Sequence, residues 1–343
     1  MLLNHLADRR ILFFGGKGGV GKTTLASATA SALARTGKTV LLVSTDPAHN
    51  LGHLWDRQVG SGLVHLAPGI TGTEVDPGAT AAAHLSAVSA TVRGMMPEHL
   101  HREVERYFDL ARSSPGTHEA AMLERISEIA TTGLESHDVI IFDTAPTGHT
   151  TRLLDLPRLM TAWTEGLLSR RTKTERFADA LKGLEPRSRG DGLGGPQGED
   201  RTGEARAGGR GSSPRSAQES RDARIRSILE ARQALFHRMH GLLTDADLTA
   251  FVVVLTAERL PVLESVALHG ELTQTGLDVA ALAVNRRSPT DQGEFLAQRH
   301  AAEADHLASL QSQLPEVPVE EFPLLGGEMT GPAAVQRFAE LLR

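Results

Sequence analysis

Six short apolar runs punctuate the chain: Ile11–Phe14, Val40–Val43, Val139–Phe142, Phe251–Leu255, Val279–Val284 and, interrupted by Pro318, Val317–Phe322. They are nearly continuous rather than alternating, the pattern of strands covered by helices on both faces. Between them the periodicity becomes helical. From Thr24 to Arg35, Leu25, Ala28, Ala32 and Leu33 fall near one face before Gly37 stops the helix. The pattern predicts an α/β fold with a mainly parallel sheet flanked by helices, in which ligands bind at the carboxyl ends of the strands.

Longer helical stretches separate some of these strands. Residues 84–130 read as helical, broken by Pro97 and by Ser113-Ser114-Pro115-Gly116. Leu159, Met160, Trp163, Leu167 and Leu168 leave one apolar face, as do Ile225, Ile228, Leu229, Leu235, Phe236 and Met239. Each stripe reads either as packing against the rest of the fold or as a binding groove. Residues 185–222, dominated by Gly, Arg, Ser, Glu and Pro, hold Leu193 as their only large apolar residue, and are expected to form a disordered linker.

The chemistry begins where the first strand ends. Gly16-x-x-x-x-Gly21-Lys22-Thr23 fits the Walker A phosphate-binding pattern. Such a loop presents the backbone N–H groups of Gly16, Gly18, Gly19, Val20, Gly21, Lys22, Thr23 and Thr24 to phosphate. Lys22 neutralises the β- and γ-phosphates, and the Thr23 hydroxyl is a Mg²⁺ ligand. Strand, loop and helix follow in the order that sets the helix N-terminus and its dipole under the phosphates. A glycine-rich turn without a ligand is the alternative. A second lysine, Lys17, lies five positions before Lys22.

Two other strand ends carry aspartates. Asp46 follows Val40–Val43, and Asp143 follows Val139–Phe142. Asp143 has the position of a Walker B aspartate, which holds Mg²⁺ directly or through water; Asp46 is placed to position the attacking water and to share the metal. Either alone reads equally as a cap or turn residue. Together, beside a phosphate loop, they point to nucleotide hydrolysis.

Three segments carry a more specific resemblance. Gly16-Lys17-Gly18-Gly19-Val20-Gly21-Lys22-Thr23-Thr24, Ser44-Thr45-Asp46-Pro47-Ala48-His49-Asn50-Leu51 and Asp143-Thr144-Ala145-Pro146-Thr147-Gly148-His149-Thr150 are similar to the deviant Walker A, switch I and switch II of the ArsA family. That family holds arsenite-pump ATPases and the ATPases that guide tail-anchored membrane proteins. The resemblance implies a P-loop NTPase fold with a helical subdomain, 84–130 and 158–243, inserted between and after the switch motifs. It implies ATP and Mg²⁺ as cofactors and a homodimer in which Lys17 reaches the partner's site, making Asp46, Lys17 and Lys22 the catalytic set. Asn285 then recognises adenine, and Phe322-Pro323-Leu324-Leu325 closes over the base, with Pro323 among the nucleotide contacts. A client protein or a membrane transporter subunit is the implied partner, and a MinD- or ParA-type positioning ATPase is a further alternative.

Composition narrows these readings. A formal net charge of −6 over 343 residues gives no basic footprint for nucleic acid. The apolar run after Met1–Arg10 is too short for a signal peptide or membrane span, so a cytoplasmic protein without stable membrane insertion is expected. There is no cysteine. That excludes disulfides, thiolate zinc and iron–sulfur ligation, and with them the thiolate metalloid site of arsenite pumps, the Cys-x-x-Cys zinc of some targeting dimers and the cluster of the nitrogenase iron protein.

Overall fold

The computed structural model describes residues 1–46, 50–95, 99, 101–111, 117–144, 227, 230–231, 233–235 and 237–342. The expected linker 185–222, most of 158–243, His49 and the switch II segment beyond Thr144 lie outside the described residues.

Among the described residues eight strands form one sheet: β1 Ile11–Gly15, β2 Val40–Ser44, β3 Val64–Ala67, β4 Ile70–Glu74, β5 Val139–Asp143, β6 Thr249–Thr256, β7 Val279–Arg287 and β8 Val319–Pro323. Their order is β3-β4-β2-β5-β1-β6-β7-β8. Every neighbouring pair is parallel except β3 with β4. All six apolar runs are strands. The last is displaced toward its C-terminus, because Pro318 has no N–H to give a ladder; its carbonyl instead accepts from Leu282 N at 2.8 Å just before β8 begins.

The hairpin β3–β4 has no counterpart among those runs. Its strands are short and half polar, and it turns at Pro68-Gly69, where Gly69 takes φ +76°. β4 then pairs parallel with β2.

The helices are α1 Leu2–Leu6, α2 Lys22–Ala34, α3 Asn50–Trp55, α4 Pro77–Met95, α5 His101–Ala111, α6 Thr117–Ser136, α7 Arg259–Gln274, α8 Glu294–Gln313 and α9 Pro332–Ala339, with a 3₁₀ turn at Glu340–Leu342. Residues 237–244 are also helical. The chain divides into two units, 1–159 with 235–343, and 160–234. Every labelled element belongs to the first; the described residues of the second are helical.

Alternation along the strands builds two cores. Leu12, Phe14, Leu42, Ile141, Val252 and Val254 pack with Leu25 and Ala28 of α2 and Val335 and Phe338 of α9. On the opposite face Phe13 stacks on Phe142, with centroids 4.8 Å apart, and on Phe251 at 6.1 Å. There α6 packs on β5, and α7 on β6 and β7.

α2 departs from the expected single apolar face: Lys22 and every residue from Leu25 to Leu33 are buried. Its Ala, Ser and Thr side chains are small enough to be enclosed all round, and Ser27 Oγ accepts from Trp55 Nε1 at 3.0 Å, tying α3 to α2. The helix that begins at the phosphate loop is therefore a central post of the fold.

Candidate functional site

The loop from Gly16 to Gly21 joins β1 to α2 and is shaped by what surrounds it. Gly16 has φ +143°, and a Cβ there would lie 2.1 Å from the Val254 carbonyl oxygen. Gly21, the N-cap of α2, has φ +97°, and its Cβ would lie 2.2 Å from Asn285 Nδ2. Backbone conformation and space thus both demand glycine at these two positions. Gly18 and Gly19 are exposed, while Val20 is buried and anchors the loop.

The parallel register of β1, β2 and β5 brings together the ends that carry chemistry. Thr23 Oγ1, in the first turn of α2, donates to Asp143 Oδ2 at 2.6 Å. Ser44 Oγ lies 3.4 Å from the same oxygen and also accepts from Asp46 N at 3.4 Å. Thr45 N donates to the Asp143 carbonyl at 2.9 Å, and Thr144 binds the Phe14 carbonyl through N at 3.1 Å and Oγ1 at 2.9 Å. These bonds lock the three strand ends where they leave the sheet.

Asp143 is buried, and burial pushes its pKa up to about 7 against the opposing pull of the Thr23 hydrogen bond and the Lys22 charge, with Asp46 adding to the rise. Its second oxygen, Oδ1, is buried without a hydrogen-bond partner among the described residues. Buried, uncompensated carboxylate oxygen is costly unless a cation or proton meets it. With the Thr23 hydroxyl on its other oxygen and Asp46 nearby, the donor set is hard oxygen only, which suits Mg²⁺. Among the described residues no three His, Cys, Asp or Glu side chains gather as a metal cage.

Both loop lysines are held by the protein itself. Lys22 Nζ donates to the Lys17 carbonyl at 3.0 Å; burial lowers its pKa, against the pull of Asp143 and Asp46. Lys17 Nζ forms an ion pair with Glu264 Oε1 of α7 at 3.0 Å.

A cavity of about 290 Å³ opens beside the loop, lined by Gly19, Gly21, Lys22, Thr23, Thr24 and Asp46 and, from elsewhere in the chain, by His53, Leu54, Arg286, Met329 and Thr330. Motif reading did not find these last five. The signal at Arg286 is conformational: it holds φ +59°, a strained value for a non-glycine residue and one that concentrates at ligand sites. The Gly331 amide donates to the Leu54 carbonyl at 2.8 Å, joining the two stretches of wall that carry Leu54 and Thr330.

Asn285 is buried beneath the loop. Its Nδ2 donates to the Val20 carbonyl at 2.9 Å, and its Oδ1 accepts from Arg286 N at 2.9 Å. Pro323 is exposed at the end of β8, paired in register with Arg287, and Leu324 N donates to the Arg287 carbonyl at 2.8 Å. Behind this corner Glu303 of α8 accepts from Arg287 Nη1 at 2.6 Å, from Ser288 N and Oγ at 3.0 and 2.8 Å, and from Arg299 Nε at 3.0 Å. Burial raises the Glu303 pKa, but these donors and charges outweigh it and hold the carboxyl below its usual range.

Comparison with known proteins identifies the family. The model of the anion-transporting ATPase family, ArsA, matches residues 9–190 and 214–343, leaving out 191–213 within the Gly- and Arg-rich stretch. The chain is 31% identical to the ATPase get3 of Pyrenophora tritici-repentis over 351 residues, covering 99% of this chain and 94% of that protein. It is 29% identical to the ATPase get3 of Aspergillus terreus, covering 97% and 90%. With the arsenical pump-driving ATPase of Acidiphilium multivorum it shares 30% identity over 95% of its own length, but spans only 48% of that longer protein. With a family match over most of its length, and with the Gly16–Thr23 motif joined to the buried Asp143 through Thr23, the chain belongs to the anion-transporting ATPase (ArsA) family and is an ATPase.

Proposed function

We propose that this ATPase works as a nucleotide-dependent homodimer whose cycle is coupled to the binding or delivery of a client protein. The observation that carries the reading is that Lys22, Thr23 and Asp46 line one cavity, with Asp143 buried behind Thr23 and bonded to it, and with Lys17 half-exposed in the same loop.

In this reading the loop amides and Lys22 bind the β- and γ-phosphates of ATP. Lys22 leaves the Lys17 carbonyl to do so, exchanging a neutral acceptor for an anionic one. Thr23 and Asp143, with Asp46, hold Mg²⁺, which supplies charge neutralisation at the phosphates when bound. Asp46 orients the attacking water. Asn285 supports the adenine side by fixing Val20 while its Oδ1 keeps a second lone pair for a base donor, and Pro323 borders the base. Lys17, delivered to the partner's site, stabilises charge developing in phosphoryl transfer, so hydrolysis requires association.

Residues 84–130 and 158–243, expected from the sequence to form a helical subdomain, are the proposed client surface. Among the described residues no helix is long and apolar enough to cross a membrane. Capture with Asp46→Asn protein held in ATP tests the coupling: a hydrophobic helical segment retained in ATP and released in ADP supports it, whereas nothing retained contradicts it.

The family description and the arsenical pump-driving relative favour a second reading, a subunit that energises a membrane anion transporter. It predicts that the same variant retains an integral membrane protein and that anions stimulate turnover.

A further inference from the structure

The Lys17 ammonium is tied down within its own chain. It pairs with Glu264 Oε1 at 3.0 Å, a contact between residues 247 positions apart, and the two side chains are 39% and 43% exposed. Glu264 lies in the second turn of α7, which follows β6. Its other oxygen, Oε2, is buried and has no hydrogen-bond partner among the described residues. A carboxylate with one oxygen in a dry position relies on whatever cation meets the other, so Glu264 holds Lys17 more firmly than a freely solvated acid would.

Residue 17 also controls the second lysine. Its carbonyl accepts from Lys22 Nζ at 3.0 Å. Glu264 therefore holds the side chain of the residue whose carbonyl accepts from the other lysine of the loop. While it does so, Lys17 points at α7 of its own chain and is withheld from any other chain.

We propose that Glu264 is a positioning residue for Lys17, a resting-state latch that keeps the lysine in its own subunit until association opens the ion pair. The proposal rests on the reading that Lys17 serves the partner's site. Opening the pair is a cost that association must meet, and half-exposed ion pairs set its size at roughly two- to five-fold in the population of released lysine. Nothing in the phosphate-loop motif encodes this partner; it comes from the start of the helix after β6.

The test is ATP turnover per protomer as a function of protein concentration for wild type, Glu264→Gln, Glu264→Asp, Lys17→Ala and the double variant Lys17→Ala/Glu264→Gln, with thermal melting to verify that each is folded. Glu264→Gln is expected to reach half-maximal turnover at about two- to five-fold lower protein concentration. Glu264→Asp, which keeps the charge, should stay near wild type, and the double variant should be as inactive as Lys17→Ala. An unchanged concentration dependence, or lost turnover, in Glu264→Gln overturns the latch while leaving the role of Lys17 standing. Wild-type turnover in Lys17→Ala overturns the role of Lys17 itself.

Discussion

Thr23 and Asp143 stand 120 residues apart in sequence, yet the threonine hydroxyl donates to the aspartate at 2.6 Å. The bond joins the first turn of α2 to the end of β5, and it leaves the other carboxylate oxygen buried and unpartnered. In the proposed function Thr23 and Asp143 would form half of a Mg²⁺ site, and Ser44 and the locked strand ends hold the pair in place. Asp143→Asn keeps the shape and removes the charge. Turnover at fixed Mg²⁺ should fall about 10- to 100-fold, with part of the loss recovered by raising Mg²⁺. A Mg²⁺ titration of ATP hydrolysis checks this, and unchanged Mg²⁺ dependence would contradict it.

Gly16 meets two constraints at once, a φ of +143° and a Val254 carbonyl where its Cβ would sit. Gly16→Ala should lower stability by about 1–3 kcal/mol through backbone strain alone, more if β6 is forced aside, and should abolish nucleotide binding. Urea unfolding and fluorescent-nucleotide titration measure the two effects. Gly37→Ala is the control: it also has positive φ, +92°, but open space around its Cβ and no place in the cavity, so it should cost stability without touching binding.

Much of the fold around this site, and the placement of its motif residues at strand ends, was legible in the sequence because local patterning writes it. The apolar runs before Gly15, Ser44 and Asp143 are strands, and glycine, lysine and threonine spacing marks a phosphate loop wherever strand and helix flank it. What was not legible depends on distant contacts. The hairpin β3–β4 consists of two short, half-polar strands whose partner β2 supplies the reason for their existence. α2 is enclosed on every side because β-strands and α9 surround it, which no periodicity within α2 records. The resemblance points to adenine at Asn285, but the contact of Asn285 with Val20 across 265 residues has no local signature, and neither has the Lys17–Glu264 pair.

The corner behind Arg286 gives a prediction about pH. Glu303 is buried among Arg287, Ser288 and Arg299, and its pKa is depressed below the unfolded value of 4.5. A depressed carboxyl contributes stability that is present above the unfolded pKa and is lost as pH falls through the folded pKa. Glu303→Gln should therefore destabilise the protein by about 3–5 kcal/mol near neutral pH, as when one partner of a buried pair is removed. The gap between variant and wild type should narrow below pH 4.5 as the wild-type carboxyl protonates. Denaturant melts at neutral and acid pH measure it, and a gap independent of pH would contradict the account.

Lys17→Ala should fold and bind ATP, because Lys22 and the loop amides remain, but should lose about 1,000-fold or more in turnover if its charge completes the transition-state environment. Nucleotide titration and steady-state hydrolysis on the same preparation separate binding from chemistry. Parallel losses in both would assign Lys17 to the architecture of its own loop.

The composite site is the central claim, and mixing two inactive variants tests it most directly. Lys17→Ala lacks the lysine it would deliver, whereas Asp46→Asn lacks the aspartate of its own site. In a mixed dimer the Lys17→Ala subunit keeps its own Asp46 and receives Lys17 from its partner. Random pairing makes half of the dimers mixed, each with one complete site of two, so hydrolysis should return to about a quarter of the wild-type rate. If Lys17 acts only within its own chain, neither site in the mixed dimer is complete, and the mixture will stay as inactive as its two components.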